Sequence, residues 1–167
     1  MKTLAAAALS CLAMVAPSYG QQATTRDQII GSWKVLSLKA ATSDKVSYPL
    51  GEKVEGFVTI TSDRIWLLFV DGTRKAPASA ALTDAESVAM MKSQVAWTGK
   101  YVTGEQSSDG IELTARVDAA SSEAINKTDR IYIIRAHDDR LSFKSPGVIV
   151  PMTGAMSVVE FEMVKAD

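Results

Sequence analysis

Gly56-Phe57-Val58-Thr59-Ile60-Thr61-Ser62-Asp63-Arg64-Ile65-Trp66-Leu67-Leu68-Phe69-Val70 decides the fold class. Two runs of β-branched and aromatic residues flank Ser62-Asp63-Arg64, a short polar break of the kind that joins hairpin strands. Asp71-Gly72 then ends the second run with a turn. Both faces of the run 65–70 are apolar, so an element is expected to cover its outer side.

The same alternation recurs along the chain. Upstream, the run 29–38 reads as a first strand, with Trp33, Val35 and Ser37 on one face and Lys34, Leu36 and Leu38 on the other. Thr42 to Glu55 is rich in Ser, Asp, Gly and Pro and reads as a loop. Downstream, strands are expected over 97–103, 111–118, 130–135, 140–144 and 157–165, with 146–154 as a loop. Thr83-Asp84-Ala85-Glu86 has the form of a capping box before Val88, Met91 and Val95 at helical spacing. A helix is therefore expected near Asp84 to Ser93, as the cover for the apolar strand. Eight sequential strands and one short inserted helix predict an all-β chain. An up-and-down antiparallel β-barrel closes every edge and encloses room for one ligand; a two-sheet sandwich is the alternative.

Composition bounds the function. A chain of 167 residues with 47 % apolar and 22 % charged residues has enough material for one domain and its core. Its 18 basic and 19 acidic residues give a net charge of −1, which excludes a polybasic surface for nucleic acid. Met1-Lys2 followed by the apolar, Ala-rich run to Ala16 is too short for a membrane span of roughly 20 residues. With Pro17-Ser18-Tyr19-Gly20 behind it, the segment 1–20 reads as a signal peptide cleaved near Gly20. Removing Lys2 takes the 18 basic residues to 17 against 19 acidic ones, a net of −2. The single Cys, Cys11, leaves with that segment, so the mature chain is expected to be secreted or periplasmic, without a disulfide and without an integral membrane segment. Ala8-Leu9-Ser10-Cys11 is the weaker, lipoprotein-like alternative. The polar segment 21–28 is expected to fray ahead of the barrel domain, 29–165.

Gly31-Ser32-Trp33 resembles the Gly-x-Trp signature of lipocalins. Together with Tyr48-Pro49-Leu50-Gly51, the Gly56 to Arg64 stretch and Trp97-Thr98-Gly99-Lys100-Tyr101, it resembles the bacterial lipocalin-like domain family over about residues 29–165. That resemblance implies a small barrel with an internal pocket. It makes Gly31, Trp33, Tyr48, Pro49 and Gly51 the structural signature. In lipocalins a late Arg packs over the signature Trp; here Lys165 on the closing strand and Arg135 on an earlier one are the cations available.

Chemistry-bearing groups are few. His137-Asp138-Asp139 follows a strand directly and reads as a turn rather than a base or metal set. Glu160 and Glu162 share a strand face opposite apolar neighbours, which places them in water rather than in a catalytic pair. Met90, Met91, Met152, Met156 and Met163 read as core filler before copper ligands. Asn126-Lys127-Thr128 is a glycosylation acceptor only where the host glycosylates. No catalytic residue, metal or cofactor is assigned. Trp66, Trp97, Gly99, Tyr101, Tyr132 and Phe161 are the pocket candidates, because inward aromatics in a barrel are both core and ligand wall. Gly99, between Trp97 and Tyr101, is expected to leave a gap for a flat ligand. The expected partner is a small apolar or amphipathic molecule. The alternatives are a cofactor-free isomerase or cyclase acting in the pocket, and a structural envelope protein with a filled barrel.

Overall fold

A computed structural model describes residues 24–77, 79–150 and 154–166. The signal segment 1–20, Cys11 and Met152 lie outside the described residues. The elements in chain order are α1 (Arg26–Ile29), β1 (Gly31–Ala41), β2 (Val46–Ser47), β3 (Val54–Ile60), β4 (Arg64–Asp71), α2 (Asp84–Lys92), β5 (Gln94–Ser107), β6 (Gly110–Ala120), β7 (Asp129–His137), β8 (Arg140–Ile149) and β9 (Met156–Lys165). From β3 to β9 each strand pairs antiparallel with the next; β1 pairs with β3 on one side and β9 on the other. That last pairing closes an eight-stranded barrel, and β2 is a two-residue addition at the end of β1. Closure answers the exposed-edge problem that an open sheet would carry.

The core is the inward side of the alternation: Trp33, Val58, Ile65, Phe69, Leu113, Ile134, Phe143 and Met163 are all essentially inaccessible to water. One strand breaks the simple period. Between Val35 and Ser37 the pairing of β1 with β9 shifts register, so Leu36 turns outward and Leu38 turns in. The extra residue of this β-bulge reverses the face expected for Leu38. A second irregularity, between Lys144 and Gly147, lets β8 run on through Pro146 to Ile149, where a loop was expected. Pro146 is tolerated there because a bulge leaves a residue unpaired.

The helix forms where the capping box predicts it: Glu86 N donates to Thr83 Oγ1 at 3.2 Å and Thr83 N donates to Glu86 Oε2 at 2.9 Å. It does not cover β4. None of its residues is buried, it packs lightly against β5, and Phe57, Trp66 and Leu68 stay on an open outer face. The expected cover fails because Val88 and Met91 also face water, so α2 has no apolar stripe turned to the sheet.

Candidate functional site

Antiparallel strands alternate the two barrel ends, and the ends differ in chemistry. At one end, where β1 begins and β9 finishes, Trp33 seals the interior. Its Nε1 donates to the carbonyl of Ile29 at 2.9 Å, and Lys165 Nζ stands 5.5 Å from the ring centroid. Lys165, not Arg135, is thus the cation on the signature Trp; Arg135 pairs with Asp109 at 2.7 Å. Residues 24–28, expected to fray, are tied down at this end. Ala136 N donates to Thr24 Oγ1 at 3.0 Å, Gln106 Nε2 donates to the Thr24 carbonyl at 2.7 Å, and Arg26 donates to the Ser62 carbonyl. The two bonds of Thr24 satisfy part-buried backbone groups, the Ala136 N–H and the Thr24 carbonyl, which is why a polar segment can sit there.

Toward the other end the barrel holds a cavity of about 180 Å³. Its walls come from the end of β1 (Leu38), β4 (Leu67, Phe69), the start of β5 (Val95, Trp97) and β9 (Val159, Phe161). The mouth is set by Pro49, Ile125 and the last residues of β8. Rings form the floor and one wall. Phe143 and Phe161 stack at 4.8 Å, Phe161 meets Phe69 edge-on at 5.4 Å, and Tyr132 meets Phe161 edge-on at 5.5 Å. Trp97 and Tyr132 lie parallel with centroids 6.4 Å apart. Burial removes water from the Tyr132 hydroxyl and pushes its pKa up to about 12, against a smaller opposing influence from the Arg130 charge. The group stays a neutral O–H donor across the whole physiological range.

Three of the six pocket candidates therefore meet here: Trp97, Tyr132 and Phe161. The other three do not. Trp66 is 41 % exposed on the outer face of β4, because it takes the parity opposite to Ile65 and Leu67. Tyr101 is buried at the sealed end, where its hydroxyl donates to the Thr61 carbonyl at 2.7 Å and its ring lies beneath Arg26. Gly99 leaves no gap for a ligand. A Cβ there would lie 2.2 Å from the Arg116 carbonyl oxygen, so the missing side chain admits the backbone of β6.

Among the signature residues, Gly31 has φ +143 and Gly51 has φ +76, both in the region that glycine alone occupies readily. Gly51 N donates to the Tyr48 carbonyl at 3.0 Å, making a turn that leaves Tyr48 exposed and brings Pro49 to the mouth. Sequence reasoning missed Leu38, Phe69 and Arg130. The bulge hid the first. Phe69 was lost in a strand apolar on both faces. Arg130 was legible, since it shares parity with Tyr132 and Ile134 on β7.

The remaining polar motifs sit where their simpler readings place them. His137 and Asp138 are exposed in a tight turn, with Asp138 at φ +53. Glu160 faces outward and pairs with Lys144 at 2.9 Å. Among the described residues no cluster of His, Cys, Asp and Glu could hold a metal ion, and no helix is long and apolar enough to cross a membrane.

Known proteins give one answer. Among curated proteins and among solved structures, none matches the chain. The family model described as lipocalin-like domain matches residues 30–159, nearly the whole barrel from the strand bearing Trp33 to the strand bearing Phe161. With the closed eight-stranded barrel, the sealed end and the cavity at the other, this match assigns the chain to the lipocalin-like domain family.

Proposed function

We propose that the protein is exported and that its barrel binds a small apolar or amphipathic molecule. The observation that carries this reading is the cavity of about 180 Å³ walled by Trp97, Tyr132, Phe69 and Phe161. An apolar cavity of roughly 150 Å³ is known to stay dry and to admit a single benzene ring. The interior thus suits one ring or a short acyl chain, with the remainder of the molecule in the mouth. Such a space favours ligand binding over a filled, purely structural barrel. Tyr132, whose proton is held more tightly than in water, favours holding a molecule over transferring protons to it. The signal-like segment 1–20 supports export, and cleavage near Gly20 would leave a mature chain with no thiol.

Titration with 1-naphthylamine tests the reading. Binding is expected with Kd below about 100 μM, with quenching of Trp97 emission. Trp97→Ala is expected to weaken it about tenfold or more while circular dichroism shows an intact barrel. A folded wild-type protein that binds neither this probe nor other single- or double-ring apolar compounds would return the choice to the filled barrel. Intact mass of the exported protein checks the cleavage site.

A further inference from the structure

Arg130 and Tyr132 occupy successive inward positions of β7, so their Cα atoms are about 7 Å apart along one face. Tyr132 is deep, at 7 % exposure, while Arg130 is half-buried and both line the cavity. Their cross-strand surroundings leave them free. Arg130 stands opposite Ala115, which is too small to engage it, and the adjacent Asp129, which also lines the mouth of the cavity, pairs instead with Arg116 at 3.5 Å. Among the described residues neither the Arg130 guanidinium nor the Tyr132 hydroxyl has a hydrogen-bond or ion-pair partner. An apolar cavity thus ends in two donors that have no protein partner and are open to water, one cationic and one neutral, on the same strand face.

We propose that the ligand is an anionic amphiphile, a carboxylate carrying one ring or a short apolar chain, whose carboxylate is received by Arg130 and the Tyr132 hydroxyl while its apolar end fills the cavity. This rests on the binding reading above and sharpens it. A guanidinium matches the two oxygens of a carboxylate with parallel N–H donors, which a lone phenol cannot do. Half-burial suits the task. Water reaches the half-buried guanidinium in the empty barrel, and a ligand entering the mouth displaces that water in exchange for a charge-assisted bond. The Tyr132 hydroxyl, a neutral donor at this pH, donates to the same anion from below. Neutral or cationic ligands of the same shape would leave the guanidinium desolvated without a partner, so the site discriminates by head group.

Calorimetry with 4-phenylbutyrate and its uncharged counterpart 4-phenyl-1-butanol at pH 7 tests the proposal. The acid is expected to bind about tenfold tighter than the alcohol. Arg130→Gln is expected to collapse that ratio toward one, Arg130→Lys to give an intermediate ratio, and Tyr132→Phe to lower it about threefold. Equal affinities for acid and alcohol in the wild type would overturn the anionic assignment while leaving the apolar site standing. Binding of neither compound would overturn both. An acid preference that survives in folded Arg130→Gln would place the anion elsewhere and equally overturn the assignment.

Discussion

Lys165 Nζ lies 5.5 Å from the centroid of the Trp33 ring, linking the last strand of the barrel to the first at its sealed end. The contact is reinforced by backbone pairing of the same two residues. Trp33 is 1 % exposed, and its indole N–H is spent on the Ile29 carbonyl, so removing the ring opens a large void and orphans a carbonyl together. Trp33→Ala is expected to cost about 3–5 kcal/mol in urea unfolding. Lys165→Ala is expected to cost about 0.5–1 kcal/mol, the size of a solvent-accessible cation–π contact. Equal losses from the two substitutions would show that the cation, rather than the buried ring, holds the closure.

Gly99 separates packing from ligand space. Adding even a methyl group puts it 2.2 Å from the Arg116 carbonyl oxygen, inside any van der Waals contact, and both partners are backbone of paired strands. Gly99→Ala is expected to destabilise the barrel by about 1–3 kcal/mol or more, and Gly99→Leu to prevent cooperative folding. A folded Gly99→Leu protein with the wild-type unfolding midpoint would show that β5 and β6 are not so closely apposed.

The outer face of β3 and β4 carries a different expectation. Phe57 and Leu68 are directly paired across the two strands and half exposed, with Trp66 beside them. Of the three tryptophans, Trp33 and Trp97 are buried, so iodide is expected to quench mainly Trp66. Trp66→Phe is expected to remove most of the iodide-sensitive emission while shifting stability by about 0.5 kcal/mol or less, as for an ordinary surface site. A loss of several kcal/mol would mean that an element covers this face in solution.

These contrasts mark what a sequence exposes about such a fold. Alternation made the strands and their order legible, because each barrel strand has one wet and one dry face and Trp33, Trp97, Tyr132 and Phe161 all keep the dry parity. The Thr83 and Glu86 cap was legible because its chemistry is local. What was not legible depends on neighbours distant in sequence. The bulge at Leu36 is set by pairing with β9, and Gly99 is demanded by the approach of β6. Tyr101 has the same parity as Trp97 yet lies at the sealed end, since parity fixes the face of a strand and not the depth along it.

The buried phenol gives the protein a pH signature of its own. Desolvation raises the folded pKa of Tyr132 from its ordinary 10.0 to about 12, so the folded state holds this proton more tightly than the unfolded chain does. The corresponding stability is fully present below pH 10 and is lost as pH rises from about 10 toward 12. Its size is on the order of 3 kcal/mol, since the shift spans about two pKa units and each corresponds to about 1.4 kcal/mol. Tyr132→Phe removes the titrating proton but keeps the ring and its edge contacts with Phe143 and Phe161. The variant is therefore expected to lose less stability between pH 9.5 and 11.5 than the wild type, with the difference read from urea midpoints at each pH. Parallel pH curves for the two proteins would show that the Tyr132 hydroxyl meets water in the folded barrel.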